Sequence, residues 1–468
     1  MDFKNVSAPV LDIVGVEVEK RRTTENEVIK QIADGIISPV LISFVWWVLT
    51  DALKNGRRRL YFLARDGYIM YKIACQFCAR FDTGIELRYL CGSRLAWRNA
   101  VYDFIGDEKY KYIFSGGYSL TPKVILKRVQ ADSETRRRIY DDINRDIHIH
   151  SDRYYLSNEN QTLNSKSMKI FAERLKKSRI FGEYLSYTSK KRFEEASGYL
   201  KQEGLFDGND IILVDSGWTG SVQRTLRQIV ERNVKTPVSM TGYYFGLYAK
   251  SNDACDGRYE AWYFNPKSPI RTMTDFNNNV FECMCASPFN MTVGYEFSEN
   301  VGKYVPAFKS VAAGGENDAD KLGLIEYIED FTTGFLKDSG IEFGDYNDAR
   351  REKSAEMLRR FMLNPTKSEA EAFGKLKFCD DASESYENNL ARVTDEEYLK
   401  SYAVINRLWR KVSGKKNKKN NKNKDAIPDL FWFHGSLVLS GVKNHKYYRS
   451  NYKLWEFLRL LIKKYGRA

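Results

Sequence analysis

Short apolar runs closed by polar turns organise the first 250 residues of the chain. Leu60 to Leu63 reads as a buried strand, followed by Ala64-Arg65-Asp66-Gly67 and a helix expected from Tyr68. Leu87 to Cys91 repeats the pattern and ends in Gly92-Ser93-Arg94. The clearest unit is strand Ile211 to Val214, then the polar stretch Asp215-Ser216-Gly217-Trp218-Thr219-Gly220, then a helix from Ser221 to Arg232. VSMTGYYFGLYA follows as a further strand with Gly242 and Gly246 inside it. Strands alternating with helices predict an α/β fold with a Rossmann-like parallel sheet. Residues 100–205 are charged, Tyr-rich and helical in pattern, without a buried-strand run, and read as a helical cap insertion. The expected division is 1–99 for amino-terminal helices and the first half of the core, 100–205 for the cap, and 206–310 for the second half with its phosphate-binding loop. A helical carboxy-terminal region is expected over 311–468, with a disordered basic loop at 414–424. No internal repeat is visible.

Two apolar segments bear on membranes. Ile36 to Leu49 is 14 residues long, short of the ~20 a span needs, so a buried helix with Pro39 in its first turn is expected. In the carboxy-terminal NYKLWEFLRLLIKKYGRA, Leu454, Trp455, Leu458 and Leu461 fall on one helical stripe. Packing of that stripe on the body is the expectation, with an anionic inner-membrane surface as the alternative. MDFKNVSAPVLDIVGVEVEKRR lacks the pattern of a secretory signal. Seven unevenly spaced cysteines fit reduced thiols better than a disulfide framework. A cytoplasmic location, peripheral at the membrane in the alternative, follows as an expectation.

Composition then narrows the partners. The 468 residues suffice for a full-sized core, and 43% apolar with 29% charged residues is a globular balance. A net charge of +13 favours anionic partners. Six of the lysines lie in GKKNKKNNKNK, and no recognition motif accompanies them, so specific nucleic-acid binding is not expected. Aromatic residues make up 14% of the chain and suit cores, interfaces or sugar-stacking surfaces.

Parallel sheets bind ligands beyond the carboxyl ends of their strands. If the three strands are neighbours, their polar turns converge on one crevice. The third turn carries the clearest chemistry. Gly217 and Gly220 permit a tight backbone, Ser216, Thr219 and Ser221 add hydroxyls, and a helix begins there with its positive dipole end. That is how a phosphate is cradled. An ordinary helix cap built from Ser or Thr is the competing reading. Asp66 and Asp215, at strand ends, are candidates for acid–base or nucleophilic work and for holding Mg²⁺. Arg65 and Arg94 are candidate phosphate clamps, with Gly67 and Ser93 beside them. Glu282, between apolar neighbours, is expected to face the site or pair with an arginine. Cys75 and Cys78 form a CxxC within a helix, which reads as a buried face rather than zinc. Cys283 and Cys285 carry no metal role, and His148 with His150 reads as an exposed edge.

YFLARDGYIM, YLCGSRLAWRNA, ILVDSGWTGSVQRTL, GYYFGL and FECMCASPFNMTVGY occur in that order. Together they resemble a bacterial family of predicted hydrolases of the haloacid dehalogenase (HAD) superfamily, associated with glycosyltransferases and surface-polysaccharide biosynthesis. The resemblance spans roughly residues 30–300 and corresponds to the family's carboxy-terminal module. The Asp-x-Asp motif of HAD phosphatases is missing: two residues after Asp66 stands Tyr68. A weaker similarity is to type I phosphoribosyltransferases, whose apolar strand, acidic pair and Thr-Gly precede a helix. Here Asp215 is the single acidic residue, followed by Ser216, and Thr219-Gly220 comes one residue early. The resemblances imply an enzyme acting on a phosphorylated sugar, nucleotide or nucleotide-sugar in bacterial surface-polysaccharide synthesis, such as capsule. The alternatives are an HAD-type Mg²⁺-dependent phosphatase and a non-catalytic partner of a glycosyltransferase complex.

Overall fold

Five strands form one parallel sheet: β1 (Arg59–Leu63), β2 (Glu86–Leu90), β3 (Asp210–Trp218), β4 (Ser239–Leu247) and β5 (Arg258–Phe264). The computed structural model describes residues 27–115, 120–145, 159–208, 210–249, 257–285, 287–310, 319–338, 340–379, 388–403 and 430–465. His148, His150, Cys255 and the basic stretch 414–424 lie outside them.

The strand order is β2-β1-β3-β4-β5, parallel at every pairing. In β1, Leu60, Tyr61, Phe62 and Leu63 are all buried, as for a strand covered on both faces. The helix Gly67–Phe81 connects β1 to β2, and Ser221–Val234 connects β3 to β4. The order reverses between β1 and β3, which makes that point the crevice of a doubly wound sheet. The α/β reading therefore holds, and the three strands with polar turns are neighbours.

β3 is longer than the apolar run Ile211 to Val214 suggests. Asp215, Gly217 and Trp218 still pair with Tyr244, Gly246 and Leu247 of β4. Two facing glycines explain the extension. A Cβ on Gly217 would lie 2.1 Å from the Gly246 carbonyl oxygen, and Gly217 has φ 135°. Only glycine tolerates that approach. The expected polar turn therefore shrinks to Thr219-Gly220, and Asp215, Ser216 and Gly217 stand on rigid strand.

The α-helix before β1, Ser38–Lys54, is buried and carries Pro39 in its first turn, as expected. It does not begin the helical run. An α-helical turn Glu27–Ile32 and a π-helical turn Ala33–Ile37 lead without a break into Ser38–Lys54. The π turn ends two residues before Pro39, whose missing N–H would break an i→i−4 ladder. The whole helix, Glu27–Lys54, has 28 residues and is long and apolar enough to cross a membrane, but 78% of its apolar window is buried within the protein. Phe44 packs edge-on against Phe245 and Trp262.

Between β2 and β3 the described residues form six helices, from Arg94–Val101 to the 24-residue Arg179–Gln202. They share an apolar cluster of their own, around Ile113, Leu126, Ile139, Phe171 and Leu185. Beyond β5 a separate antiparallel hairpin, β6 (Thr292–Ser298) and β7 (Lys303–Phe308), follows. Tyr295 of β6 stacks on Tyr199 with ring centroids 4.4 Å apart. The remaining helices include Ala319–Asp338, Asp348–Leu363, Phe433–Leu439 and His445–Tyr465. The main core, running from Ile29 to Trp432, joins the first two of these to the sheet, while Phe433, Leu437 and Tyr448 of the last two belong to a separate cluster with Leu399 and Tyr402.

The last helix covers its expected stripe only in part: Trp455, Leu458 and Leu461 are half-buried, but Leu454 is 50% exposed, with Tyr447, Phe457 and Ile462 also facing solvent. Charge sets the inward face. Asp275 is 2% exposed and takes Lys453 at 3.1 Å, Arg359 at 2.7 Å and Arg271 at 3.7 Å. A buried carboxylate needs such partners, and Lys453 turns its face of the helix inward. Asp275→Ala is expected to destabilise the protein by about 2 kcal/mol, below the ~3–5 of fully buried pairs because its cations are partly exposed. Hydrogen exchange is expected to show protection lost first in His445–Tyr465, and uniform loss would contradict this account.

Candidate functional site

The turns after β1, β2 and β3 meet in one crevice of 260 Å³ at the β1/β3 reversal. Arg65, Asp66, Ser93, Arg94, Asp215, Ser216, Gly217, Thr219 and Ser221 all line it. Gly67 and Gly220 do not. Gly67 starts its helix against the Phe62 backbone, where an added Cβ would be 3.0 Å from the carbonyl carbon. Gly220 is the residue before helix Ser221–Val234, at φ 64°. The Ala64–Arg65 and Gly217–Trp218 peptide bonds, both at the crevice, are cis.

The helix Ser221–Val234 has 14 residues, and no side chain caps its first turn. That removes the ordinary Ser/Thr cap as the reason for this sequence. The first-turn amides of such a helix have no intrahelical partners and carry its positive dipole end. Ser221 and Val222 both face the crevice. Ser93, by contrast, is a structural cap. Its Oγ accepts from the Ala96 amide at 3.0 Å and donates to the Thr292 carbonyl at 2.6 Å.

Sequence reasoning missed Arg98, which lies one turn beyond Arg94 on Arg94–Val101. Its Nη2 donates to Ser221 Oγ at 3.3 Å, and its guanidinium stands 4.5 Å from the Tyr112 ring centroid. No carboxylate pairs with it among the described residues. Burial, reinforced by the neighbouring Arg94, pulls it down to about 10. The spacing Arg94-x-x-x-Arg98 was the available signal, since residues four apart share a helix face.

Three carboxyl groups complete the crevice. Asp215 is buried on β3, and Asp66 is partly exposed at the end of β1. Ser216 Oγ donates to Asp66 Oδ2. Glu282, on the short helix Asn278–Met284, accepts from Trp218 Nε1 at 2.6 Å. It thus faces the site, as one of its two expected placements held. Burial pushes Asp66 up to about 7, with the Glu282 charge adding to it. Burial pushes Asp215 up to about 8, with Asp66 the next cause. Near neutrality Asp215 holds its proton and Asp66 is only partly ionised, so the charge of Arg94 in the lining, and of Arg98 behind Ser221, is only partly offset. An anion is the ligand such a surface accepts, and the neutral carboxyl groups are poised for proton transfer.

Among the described residues no group of three His, Cys, Asp or Glu side chains is placed to hold a metal ion. Two aspartates are nonetheless the protein share Mg²⁺ takes when water and phosphate complete its shell. None of the six described cysteines forms a disulfide. Cys75 and Cys78 are partly buried on Gly67–Phe81, and burial pushes Cys78 up to about 11. Cys283 and Cys285 are buried, and burial and then Asp66 raise the Cys285 thiol well above its usual value. Trp97, Trp218, Asn278 and Asn279 also line the crevice. The chain matches no known family model and no curated protein.

Proposed function

We propose that this chain is a Rossmann-like enzyme that acts on a phosphorylated sugar, nucleotide or nucleotide-sugar. The observation that carries this reading is the uncapped start of Ser221–Val234 facing a guanidinium, Arg98, that has no carboxylate partner. Arg94, Arg98 and the Ser221 and Val222 amides bind the phosphate. Thr219 and Ser221 add hydroxyls, and Arg65 lies at the rim. Without metal, Asp215 holds a proton to give to the leaving oxygen, and Asp66 is oriented by Ser216. Mg²⁺, if held by Asp66 and Asp215, would take the place of that proton and screen phosphate charge. The helices of residues 100–205 act as a cap, since Arg94–Val101 carries Arg94 and Trp97 into the crevice and continues into them. The carboxy-terminal region closes the other side through Phe378 and Cys379. A place in surface-polysaccharide synthesis rests on the family resemblance alone, and a cytoplasmic one on the amino-terminal pattern and cysteine spacing.

The HAD-phosphatase alternative is weaker. The position two after Asp66 is Tyr68, whose ring packs edge-on against Tyr89 and Phe289. One observation favours the non-catalytic partner reading: the solvent-facing Leu454, Phe457 and Ile462 of the last helix. Such a face suits a glycosyltransferase or an anionic membrane surface.

Thermal unfolding against sugar phosphates, nucleotides, nucleotide-sugars and phosphoribosyl pyrophosphate, each with and without Mg²⁺, tests the proposal. A specific ligand at 100 times its Kd adds ~2.7 kcal/mol. A shift with one class, lost in Arg94→Ala, is the expected result. No shift with any compound, in folded protein, moves the function to the partner reading.

A further inference from the structure

A second cavity, of 350 Å³, lies beside the crevice along the carboxyl edge of the sheet. Asn278 and Asn279 line both spaces. The wall between them is aromatic: Trp218, on the crevice side, packs on Phe276 at 5.1 Å and on Tyr248 at 6.4 Å, and both of those rings line the cavity. Its volume falls in the range of small-molecule sites, ~300–1,000 Å³.

The cavity's polar groups specify the kind of ligand. Both of its lining carboxylates are already engaged: Asp275 carries three cations, and Glu456 pairs with Arg459, the guanidinium in the lining. A cationic ligand has no free carboxylate waiting there. His434 is different. It is 4% exposed, lines the cavity, and its Nδ1 has no hydrogen-bond partner. Burial, and then Arg449, lowers its pKa to about 3, so the imidazole is neutral and able to accept or donate one bond. Side-chain amides and a neutral imidazole beside aromatic faces suit an uncharged molecule rich in hydroxyls.

We infer that this cavity binds a glycosyl unit, and that a ligand spanning the Asn278–Asn279 partition places its phosphate in the crevice and its sugar here. In joining the two spaces the inference rests on the phosphate reading above; the sugar site itself does not. Specificity for the sugar then comes from His434 and the cavity walls, while the crevice recognises what every phosphorylated ligand shares.

Saturation-transfer NMR with a panel of free hexoses, on the full chain, reads the cavity alone. Thermal shift with inorganic pyrophosphate reads the crevice alone. The expected result is saturation transfer to at least one hexose, reduced more than fivefold in His434→Leu and in Thr274→Phe. The second variant fills the cavity from its partly exposed rim, and so keeps the test valid should the first fail to fold. Pyrophosphate should shift both variants as it shifts the parent protein. Absence of transfer to any hexose, or transfer that survives in folded Thr274→Phe, overturns the sugar site. Transfer to a hexose without any effect of pyrophosphate leaves the sugar site standing and overturns the phosphate reading.

Discussion

Replacing Arg98 by Met is expected to weaken binding of a phosphorylated ligand by about 10- to 100-fold, the value of a charge-assisted hydrogen bond of ~1.5–3 kcal/mol. The same change should stabilise the ligand-free protein by about 1 kcal/mol. A buried guanidinium without a carboxylate is expensive to keep, and Met retains the packing against Tyr112 while removing the charge. The two effects have opposite signs, which separates a ligand-binding arginine from a structural one. Calorimetric titration gives the first and thermal unfolding in phosphate-free buffer gives the second. Unchanged affinity with lower stability would make Arg98 a packing residue.

The second large effect is on pH dependence. The pKa values of Asp66 and Asp215 are raised in the folded chain, to about 7 and about 8. Below pH ~4 both groups are protonated in folded and unfolded states and contribute nothing to the slope. Between pH ~4 and ~8 the unfolded chain has released these protons and the folded chain still holds them. Stability must therefore fall as pH rises through this window and level off above it. The two groups titrate as a pair. Asp215→Asn removes much of this slope and is expected to raise stability at pH 8.5 by on the order of 2 kcal/mol, while reducing turnover. A stability profile that rises between pH 5 and 8 by the same amount in both proteins would contradict the assignment. Residues that oppose stability where they stand are what a functional site holds.

Much of this site was legible because the sheet is parallel and buried. Apolar runs such as Leu60 to Leu63 announce its strands, and ligand-binding turns follow such strands by geometry. Nine of the eleven candidate residues line the crevice for that reason. The misses share a cause, since each depends on a long-range partner. β3 extends to Trp218 because Gly246 faces Gly217. The last helix turns Lys453 inward and leaves Leu454 exposed because Asp275 is buried nearly 180 residues earlier in the chain. Arg98 stands out only once Ser221 is beside it. Asn278 and Asn279 matter because the fold places them between two cavities, which nothing in NNNVFECM announces.

Phosphate, on the proposal above, binds at the start of Ser221–Val234. The most direct test is an NMR titration that follows the backbone amides of Ser221 and Val222 and the Arg98 side-chain Nε–H as inorganic pyrophosphate is added. Saturable shifts at these three groups, abolished in Arg94→Ala, are the predicted result. Shifts confined to surface lysines, or none at all, would contradict it.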